Sequence, residues 1–350
     1  MKISRTQDGS IEDCNGRVLF FSIERFVRDI VFGECCFLCG TEVGTKIFNG
    51  EHVIPNWLLK RYSLHRRKIV LPNKTSIVYG KYIIQCCREC NAFLGEELEY
   101  EISKITSQGY EAVTKYVEEN GPQKFFVWLS LIFIKTHLKD TELSNERDER
   151  TSDGKSIAEV AYRFEELHHI HCLARALYTK AAIEPEVFGS FVLFPAGVAD
   201  NVFESFDFGD NYTSRSIFVR IADIVFMANL NDSNAAVSRI NDEYLSKVTS
   251  PLSPLQIREV FAHFCYNNLV LGDRPIFSSE IREGKYTIVA RRPKSLFFVD
   301  DRNVLGNLIF EYCGALIQEG EVKEQLKLNR YTFWFDRHGK FIEFKNGTRD

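Results

Sequence analysis

The chain has 350 residues, of which 45% are hydrophobic and 26% are charged, so we expect a folded protein with two or three domains rather than a disordered one. Its longest uncharged apolar run, from Phe125 to Ile134, is shorter than the roughly 20 residues that span a bilayer, and the N-terminus shows no apolar export segment. The net charge of −4 gives no sign, over the chain as a whole, of a polyanionic partner, and we expect a cytoplasmic protein without membrane contact.

The order of predicted elements indicates an α+β fold in four segments. A lead-in over residues 1–33 contains one short helix, and residues 34–104 carry six of the ten cysteines. Residues 105–183 have helical periodicity, interrupted by a polar linker at 139–155. Residues 184–350 combine strand-like apolar runs with a helix, which predicts an α+β domain of unassigned role.

Helices are expected where apolar residues recur at helical spacing, and strands where β-branched and aromatic residues form short runs. The predicted helices cover residues 23–31 with Ser22 as N-cap, 101–119, 123–138, 156–182, and the stretch from Ser253-Pro254 to about Leu269. The predicted strands begin at Ser190, Ser216 and Lys285, and a hairpin is expected where RYTFWF and KFIEF flank the turn 336–339.

Two pairs of cysteines have the spacing of a metal knuckle, Cys-x2-Cys, with 47 residues between the pairs. One tight turn can direct two sulfurs at one ion, and two such turns complete a tetrahedron around zinc. A reducing compartment favours ligation over disulfides, although four buried cysteines remain the alternative. Such a closed site would hold the fold without activating water, and Cys35 and Cys86 are interpreted as packing residues. The expected zinc ligands are Cys36, Cys39, Cys87 and Cys90.

The motifs CCFLCG, EHVIP and CRECN, the last followed by LGEELE, occur in this order over about a fifth of the chain. This layout resembles the zinc-bearing branch of the HNH endonucleases. The pattern of that family is a C-x2-C-G knuckle, an acid-His pair ahead of two apolar residues and a proline, and a C-x2-C-N knuckle that opens a helix. The resemblance implies a ββα-metal finger with the acid-His pair on a β-hairpin.

The resemblance also assigns roles to individual residues. His52 would be the general base that takes a proton from the attacking water, since a neutral imidazole accepts protons near pH 7. Glu51 and Asn91 would hold one Mg²⁺ or Mn²⁺ through oxygen ligands. Glu99 lies eight residues after Asn91, on the same face of a regular helix, and is either a further metal contact or an ordinary exposed acid.

One position departs from the family pattern. Many members carry an asparagine that braces the loop behind the histidine, and this chain has Tyr82 there. The difference bears on loop geometry more than on cleavage. Pro55 and Trp57 are interpreted as supports for the end of the hairpin.

The segment from Thr45 to Arg88 has nine lysines and arginines against the single acid Glu51, a local net charge of +8. Basic side chains there would seat a phosphate backbone without reading bases, although a solvated loop is the alternative. His65 is interpreted as a phosphate neighbour or a surface residue. The expected nucleic-acid contacts are Lys60, Arg61, Arg66, Arg67 and Lys68.

A second histidine cluster, LHHIHC, places His168 and His171 three residues apart on one predicted helix face. That spacing could ligate a metal, but no third ligand is identifiable, and a packed or surface helix is the preferred interpretation.

The resemblance therefore implies a metal-dependent HNH endonuclease that hydrolyses DNA, with RNA as an alternative substrate, to leave a 5′-phosphate and a 3′-hydroxyl. It implies a role in bacterial restriction, antiphage defence or mobile-element biology, with a partner protein such as a defence-system ATPase. Two alternatives belong to other classes: a catalytically inactive zinc-stapled nucleic-acid-binding module, and an adaptor subunit of a larger assembly.

Overall fold

The computed structural model describes residues 3–147, 150, 153–198 and 205–343, apart from the side chains of residues 241–243. It is a mixed α+β structure with two compact units. The first unit combines residues 1–104, 123–187 and 277–290, and the second combines 105–122, 188–276 and 291–350. No helix in the described ranges has both the length and the apolarity that crossing a bilayer requires.

These units differ from the four predicted segments. The helical segment 105–183 contributes to both units, and the polar stretch 139–155 has both of its ends in the first unit. Each unit is therefore assembled from segments that are distant in the sequence.

The strands are short, and most of them pair antiparallel. They are β1 Ile3–Arg5, β2 Ile11–Asp13, β3 Val18–Phe20, β4 Phe48–His52, β5 Lys68–Val70, β6 Ser76–Val78, β7 Ile83–Cys87, β8 Ala182–Ile183, β9 Phe191–Pro195, β10 Phe206–Asn211, β11 Ser216–Ile221, β12 Ile224–Asn229, β13 Ile276–Arg282 and β14 Lys285–Arg291.

The α-helices follow in the same chain order. They are α1 Ile23–Arg25, α2 Asn56–Arg61, α3 Arg88–Leu94, α4 Tyr100–Thr106, α5 Tyr110–Asn120, α6 Gln123–Lys139, α7 Ile157–Ala161, α8 His168–Ala174, α9 Ala176–Thr179, α10 Ala235–Glu243, α11 Pro254–Leu269, α12 Arg302–Cys313 and α13 Gly320–Lys327. Wider π-helical turns occupy Phe26–Val31 and Gly95–Glu99, and 3₁₀ turns occupy Tyr79–Lys81, Phe164–Leu167, Pro185–Val187, Leu245–Lys247 and Gly314–Leu316.

The first unit is built around α6. This helix is apolar on all sides, as expected for a helix that is enclosed by its own unit, and every residue from Phe125 to Lys139 is buried. It packs against α8 and β7. The strands of this unit form the sheets β1-β2-β3 and β13-β14-β8 and the pair β5-β6, and β4 pairs with β7, which packs against α6. Residues of the acid-His strand β4 can therefore reach the side chains of α6.

The second unit contains a four-stranded antiparallel sheet in the order β10-β11-β12-β9. Both central strands, β11 and β12, are fully buried. Helix α11 packs on this sheet and against α10 and α12. It begins at Pro254 with the predicted Ser253 cap, where the Ser253 hydroxyl accepts a hydrogen bond from the Gln256 amide and the Gln256 side chain accepts one from the Ser253 amide.

Two predicted helices are interrupted. The helix expected over residues 101–119 breaks at Gly109, whose φ of +89° is in the left-handed region. The single helix expected over 156–182 is wrong. Tyr162 is extended after α7 and its hydroxyl donates a hydrogen bond of 2.5 Å to Asp140, so the chain turns and continues as α8 and α9. A tertiary contact thus outweighs the local helical pattern.

The C-terminal hairpin is shorter than predicted within the described residues. Its strands pair at the single bridge between Phe335 and Phe341, around a turn in which the Asp336 amide donates to the Lys340 carbonyl. Phe344, the last residue of the predicted second strand, lies outside the described residues.

Candidate functional site

Four cysteines converge to form a candidate metal site in the first unit. The sulfurs of Cys36, Cys39, Cys87 and Cys90 all lie within 4.8 Å of one another. Two zinc–sulfur bonds of about 2.3 Å in a tetrahedron separate their sulfurs by roughly 3.8 Å, and the Cys39 and Cys87 sulfurs are 3.7 Å apart. The donor set therefore fits a closed four-thiolate metal site, as the spacing predicted, and is compatible with structural zinc.

The first knuckle is closed by a glycine. The Gly40 amide donates a hydrogen bond of 2.8 Å to the Cys36 carbonyl, and the φ of Gly40 is +76°. A Cβ atom at Gly40 would approach the ring of Phe21 to 2.5 Å. Only glycine satisfies both this backbone conformation and the close approach.

The second knuckle joins a strand to a helix. Cys87 ends β7 and directly precedes α3, so Cys87 and Cys90 lie on either side of the first helical turn. Strand β7 also pairs with the acid-His strand, because Cys87 lies opposite Phe48 and Ile84 lies opposite Glu51. The metal ligands and the acid-His pair are thus fixed in one strand–strand–helix arrangement.

Cys86 is a buried fifth sulfur beside this cluster. Its Sγ lies 3.7 Å from Cys36 Sγ. Hydrogen bonds from the Cys39, Cys86 and Cys90 thiols lower the pKa of Cys36, whereas the hydrogen bond to Cys36 and burial raise the pKa of Cys86. The four mutually close sulfurs that could hold a metal are those of Cys36, Cys39, Cys87 and Cys90 without Cys86, which agrees with the division into ligand and packing residue.

Two histidines of LHHIHC, and Arg175 that follows them, contact backbone carbonyls in and near the first knuckle. His171 Nε2 lies 2.7 Å from the Phe37 carbonyl, and Arg175 donates hydrogen bonds to the carbonyls of Leu38, Leu19 and Val18. His168 Nε2 likewise lies 2.8 Å from the Phe21 carbonyl. The cluster is therefore a packed helix face, as preferred from the sequence, in which Nε2 of His168 and of His171 contacts a backbone carbonyl.

The acid-His pair ends the strand β4. Glu51 faces inward and is 7% exposed, whereas the following His52 faces the other side of the strand and is half-buried. Directly after His52, the Val53 amide donates a hydrogen bond of 3.0 Å to the Tyr82 carbonyl. The backbone of Tyr82 thus braces the loop behind the histidine at the position where the family pattern has an asparagine.

Glu51 is bound to a lysine that the sequence analysis did not single out. Lys135 on α6 is fully buried, and its Nζ lies 2.6 Å from Glu51 Oε1 and 2.8 Å from the His52 carbonyl oxygen. Glu99 Oε1 lies 3.9 Å from the same Nζ and has no hydrogen-bond partner. Burial raises the pKa of Glu99 to about 7, Lys135 opposes this rise, and Glu51 adds to it. Glu99 is thus a largely buried member of this cluster and not an exposed acid.

The His52 imidazole is open to a reactant. Within the described residues, neither of its ring nitrogens has a protein hydrogen-bond partner. Its ring centroid lies 6.1 Å from that of His65, whose Nε2 is 2.9 Å from Asn56 Oδ1. Burial lowers the pKa of His52 below its ordinary value; the Glu51 carboxylate opposes this, and His65, Lys135 and Lys60 add to it. The imidazole is therefore neutral near pH 7, in the form that accepts a proton.

Asn91 contacts β4 at the two residues that directly precede the acid-His pair. Its side-chain amide donates hydrogen bonds of 3.1 Å to Asn49 Oδ1 and 3.2 Å to the Gly50 carbonyl. Asn91 thereby ties α3 to β4 beside the acid-His pair.

Four of the five predicted phosphate contacts are exposed: Lys60, Arg66, Arg67 and Lys68. Arg61 differs, because its guanidinium donates to the carbonyl and hydroxyl of Ser103 and lies 4.7 Å from the Trp57 ring. Trp57 in turn stacks on Trp128 of α6. Arg61 and Trp57 therefore fix α2 in the first unit, in line with the supporting role predicted for Trp57.

Lys135 could have been found from the sequence. It follows directly on the ten-residue apolar run of α6, and a cation within a buried helix requires a partner. The sequence does not say which acid that partner is. No protein-family model, curated protein or solved structure matches the chain.

Proposed function

We propose that this chain is an HNH-type endonuclease that hydrolyses phosphodiester bonds in DNA. The observation that carries the proposal is the half-buried, neutral His52, whose ring nitrogens have no protein partner within the described residues. His52 lies at the end of β4, whose partner strand β7 carries Cys87 of the four-cysteine metal site. His168 and His171 differ from His52, because Nε2 of each lies within hydrogen-bond distance of a backbone carbonyl.

The proposed reaction is an attack of water on phosphorus. His52 takes one proton from the water while the oxygen forms a bond to phosphorus. The bond from phosphorus to the 3′ oxygen breaks, and that oxygen takes a proton from solvent. The products are a 5′-phosphate and a 3′-hydroxyl, and His52 then returns its proton to solvent.

The structural metal fits and has a supporting role in this proposal. Zinc at Cys36, Cys39, Cys87 and Cys90 would hold β7 and α3 against the first knuckle, with no coordination position left for water. The pairing of β7 with β4 then fixes the strand that carries His52.

The catalytic Mg²⁺ or Mn²⁺ implied by the resemblance fits less well. One oxygen of Glu51, the expected carboxylate ligand, is in contact with Lys135. The side-chain nitrogen of Asn91 donates to β4, which leaves its side-chain oxygen as an acceptor. Among the described residues, the four cysteines are the one group of three or more His, Cys, Asp or Glu side chains arranged to hold a metal. No step of the proposed reaction is therefore assigned to a divalent cation.

Substrate binding is proposed for the basic segment that follows His52. Within the described residues, Lys60, Arg66 and Lys68 make no ion pair, so their charges are available to phosphates. Contacts of this kind give affinity that falls with salt and does not depend on sequence.

The test is cleavage of supercoiled plasmid by the zinc-loaded protein, with Mg²⁺, with Mn²⁺ and with neither. We expect cleavage that His52→Ala abolishes while zinc content and far-UV circular dichroism stay unchanged. The control is His338→Ala, which alters an exposed turn of the second unit. Salt-sensitive binding without cleavage of any DNA or RNA would instead favour an inactive binding module, and absence of binding would favour an adaptor.

A further inference from the structure

Lys135 lies where two acidic side chains of the candidate active site meet. It belongs to α6, is fully buried, and reaches Glu51 from a position 84 residues along the chain. An ammonium group has three N–H donors. One is used by Glu51 Oε1 and one by the His52 carbonyl, and Glu99 Oε1 lies 3.9 Å away.

The Lys135 ammonium supplies the positive charge that faces the carboxylates of Glu51 and Glu99. Within the described residues, Glu99 Oε1 has no hydrogen-bond donor of its own, and Lys135 has Glu51 and Glu99 as its ion-pair partners. Buried carboxylates are stable when a cation and hydrogen bonds compensate their charge. Here Lys135 provides the positive charge for both carboxylates and a hydrogen bond to Glu51.

A divalent ion could not bind Glu51 Oε1 while Lys135 is in contact with that oxygen. Mg²⁺ binds oxygen ligands at about 2.0–2.1 Å, and Glu51 Oε1 is already 2.6 Å from Nζ. Binding the ion through this oxygen would require Lys135 to move away and leave its charge without a partner in a buried environment. Such an unpaired buried charge is strongly unfavourable.

We infer that Lys135 is the resident cation of the Glu51–Glu99 pair, held against Glu51, the carboxylate that the family resemblance assigns together with Asn91 to a divalent ion. Glu51 then acts as a positioning residue: through Lys135 it fixes the end of β4 and the backbone of His52. The inference rests on the proposed function only in calling this place part of an active site. Whether Lys135 or a divalent ion lies against these carboxylates can be tested without any cleavage assay.

The first experiment compares wild type with Glu51→Gln. Both proteins are loaded with zinc and titrated with Mn²⁺, and bound Mn²⁺ is followed by electron paramagnetic resonance. We expect the same Mn²⁺ binding by both. A Mn²⁺ ion that wild type binds and Glu51→Gln loses would overturn the inference.

The second experiment removes the lysine. Lys135→Met should gain Mn²⁺ affinity of at least about tenfold, because a positive charge about 4 Å from the ion is lost, and adding Glu51→Gln should abolish the gain. Lys124→Met is the control, since Lys124 on the same helix is paired with Glu101 and should give no gain. A folded Lys135→Met protein without the gain would overturn the inference.

Wild-type crystals soaked in Mn²⁺ decide the question even where a variant fails to fold. Anomalous density between Glu51 and Glu99 would overturn the inference, and Lys135 in contact with Glu51 without such density would support it. Absence of plasmid cleavage by wild type would contradict the proposed nuclease and leave these binding results unchanged.

Discussion

Arg175 Nε donates a hydrogen bond of 2.6 Å to the backbone carbonyl of Leu38, which lies between the two cysteines of the first knuckle. The same guanidinium binds the carbonyls of Leu19 and Val18, and no carboxylate pairs with it within the described residues. A fully buried cation is thus used to hold three backbone acceptors of the N-terminal sheet and the knuckle together.

Replacing this arginine should destabilise the first unit. Arg175→Met would leave three buried carbonyls without donors, so we expect the free energy of unfolding to fall by at least about 3 kcal/mol. The measurement is urea unfolding followed by circular dichroism. Arg17→Met, which removes a partly exposed pair with Asp13, should cost less than about 1 kcal/mol. Equal losses of unfolding free energy for the two variants would contradict this role of Arg175.

The division of the cysteines into ligands and packing residues can be tested by metal content. Cys90→Ser should lose the bound zinc and the folded first unit, because a serine oxygen is a poor replacement for a thiolate ligand. Cys86→Ala should keep about one zinc per chain, since Cys86 only packs beside Cys36. Elemental analysis of the purified proteins measures both. Loss of zinc from Cys86→Ala would show that the fifth sulfur is a ligand.

Cleavage should depend on pH through His52. Burial lowers the pKa of His52 below its ordinary value of 6.5, so the neutral base predominates at pH 7. We expect the rate to be level from pH 7 to 8 and to fall tenfold per unit once the pH is below this lowered pKa. Initial rates between pH 4.5 and 8 measure the profile. A rate that keeps rising tenfold per unit above pH 7 would assign the base to another group.

The basic segment should govern the salt dependence of DNA binding. Changing Arg66, Arg67 and Lys68 together to glutamine should weaken binding and reduce the slope of log K against log salt by up to about 3, since each phosphate contact contributes about 0.9. The control changes Arg291, Arg292 and Lys294, an exposed group in the second unit. Fluorescence anisotropy at several salt concentrations gives both slopes. An unchanged slope in the first variant would remove the segment from the interface.

His263 should contribute stability to the second unit that is lost in mild acid, opposite in sign to the contribution of buried Glu259, whose pKa burial raises to about 7. Burial lowers the pKa of His263 to about 4, whereas an unfolded histidine titrates near 6.5. At this histidine the unfolded state therefore binds more protons between these values, and the stability that His263 contributes, complete above pH 6.5, falls by up to about 1.4 kcal/mol per unit as the pH drops toward 4. His263→Phe should reduce this dependence while preserving the ring contacts with Tyr244 and Trp334. Urea unfolding at pH 7.5, 6 and 5 measures it, and identical pH slopes would contradict the assignment.

The local parts of the site were predictable from the sequence because they depend on spacing. Two residues between cysteines fix a knuckle, and the run from β7 into α3 follows from the position of Cys87 and Cys90. The cap of α11 at Ser253 is equally local.

The contacts between distant segments were not predictable in the same way. Lys135 is recognisable as a buried cation, but its meeting with Glu51 depends on how α6 packs behind β4. The break at Tyr162 depends on Asp140, which lies 22 residues earlier in the chain. Periodicity carries no information about such pairs, so a continuous helix was the expectation there.

The π-helical turn Gly95–Glu99 has a consequence for how the sequence can change. The Tyr100 amide donates to the Gly95 carbonyl five residues back, so this turn holds one residue more than an α-helical turn. It is equivalent to a one-residue insertion between Asn91 and Glu99. Deleting one residue within 95–98 would restore regular α-helix and leave Glu99 at about its present angle to Asn91, whereas a regular α-helix over the present sequence would rotate Glu99 by about 100°. In that undeleted regular helix the carboxylate would leave Lys135, although every side chain named in the site would still be present in the sequence.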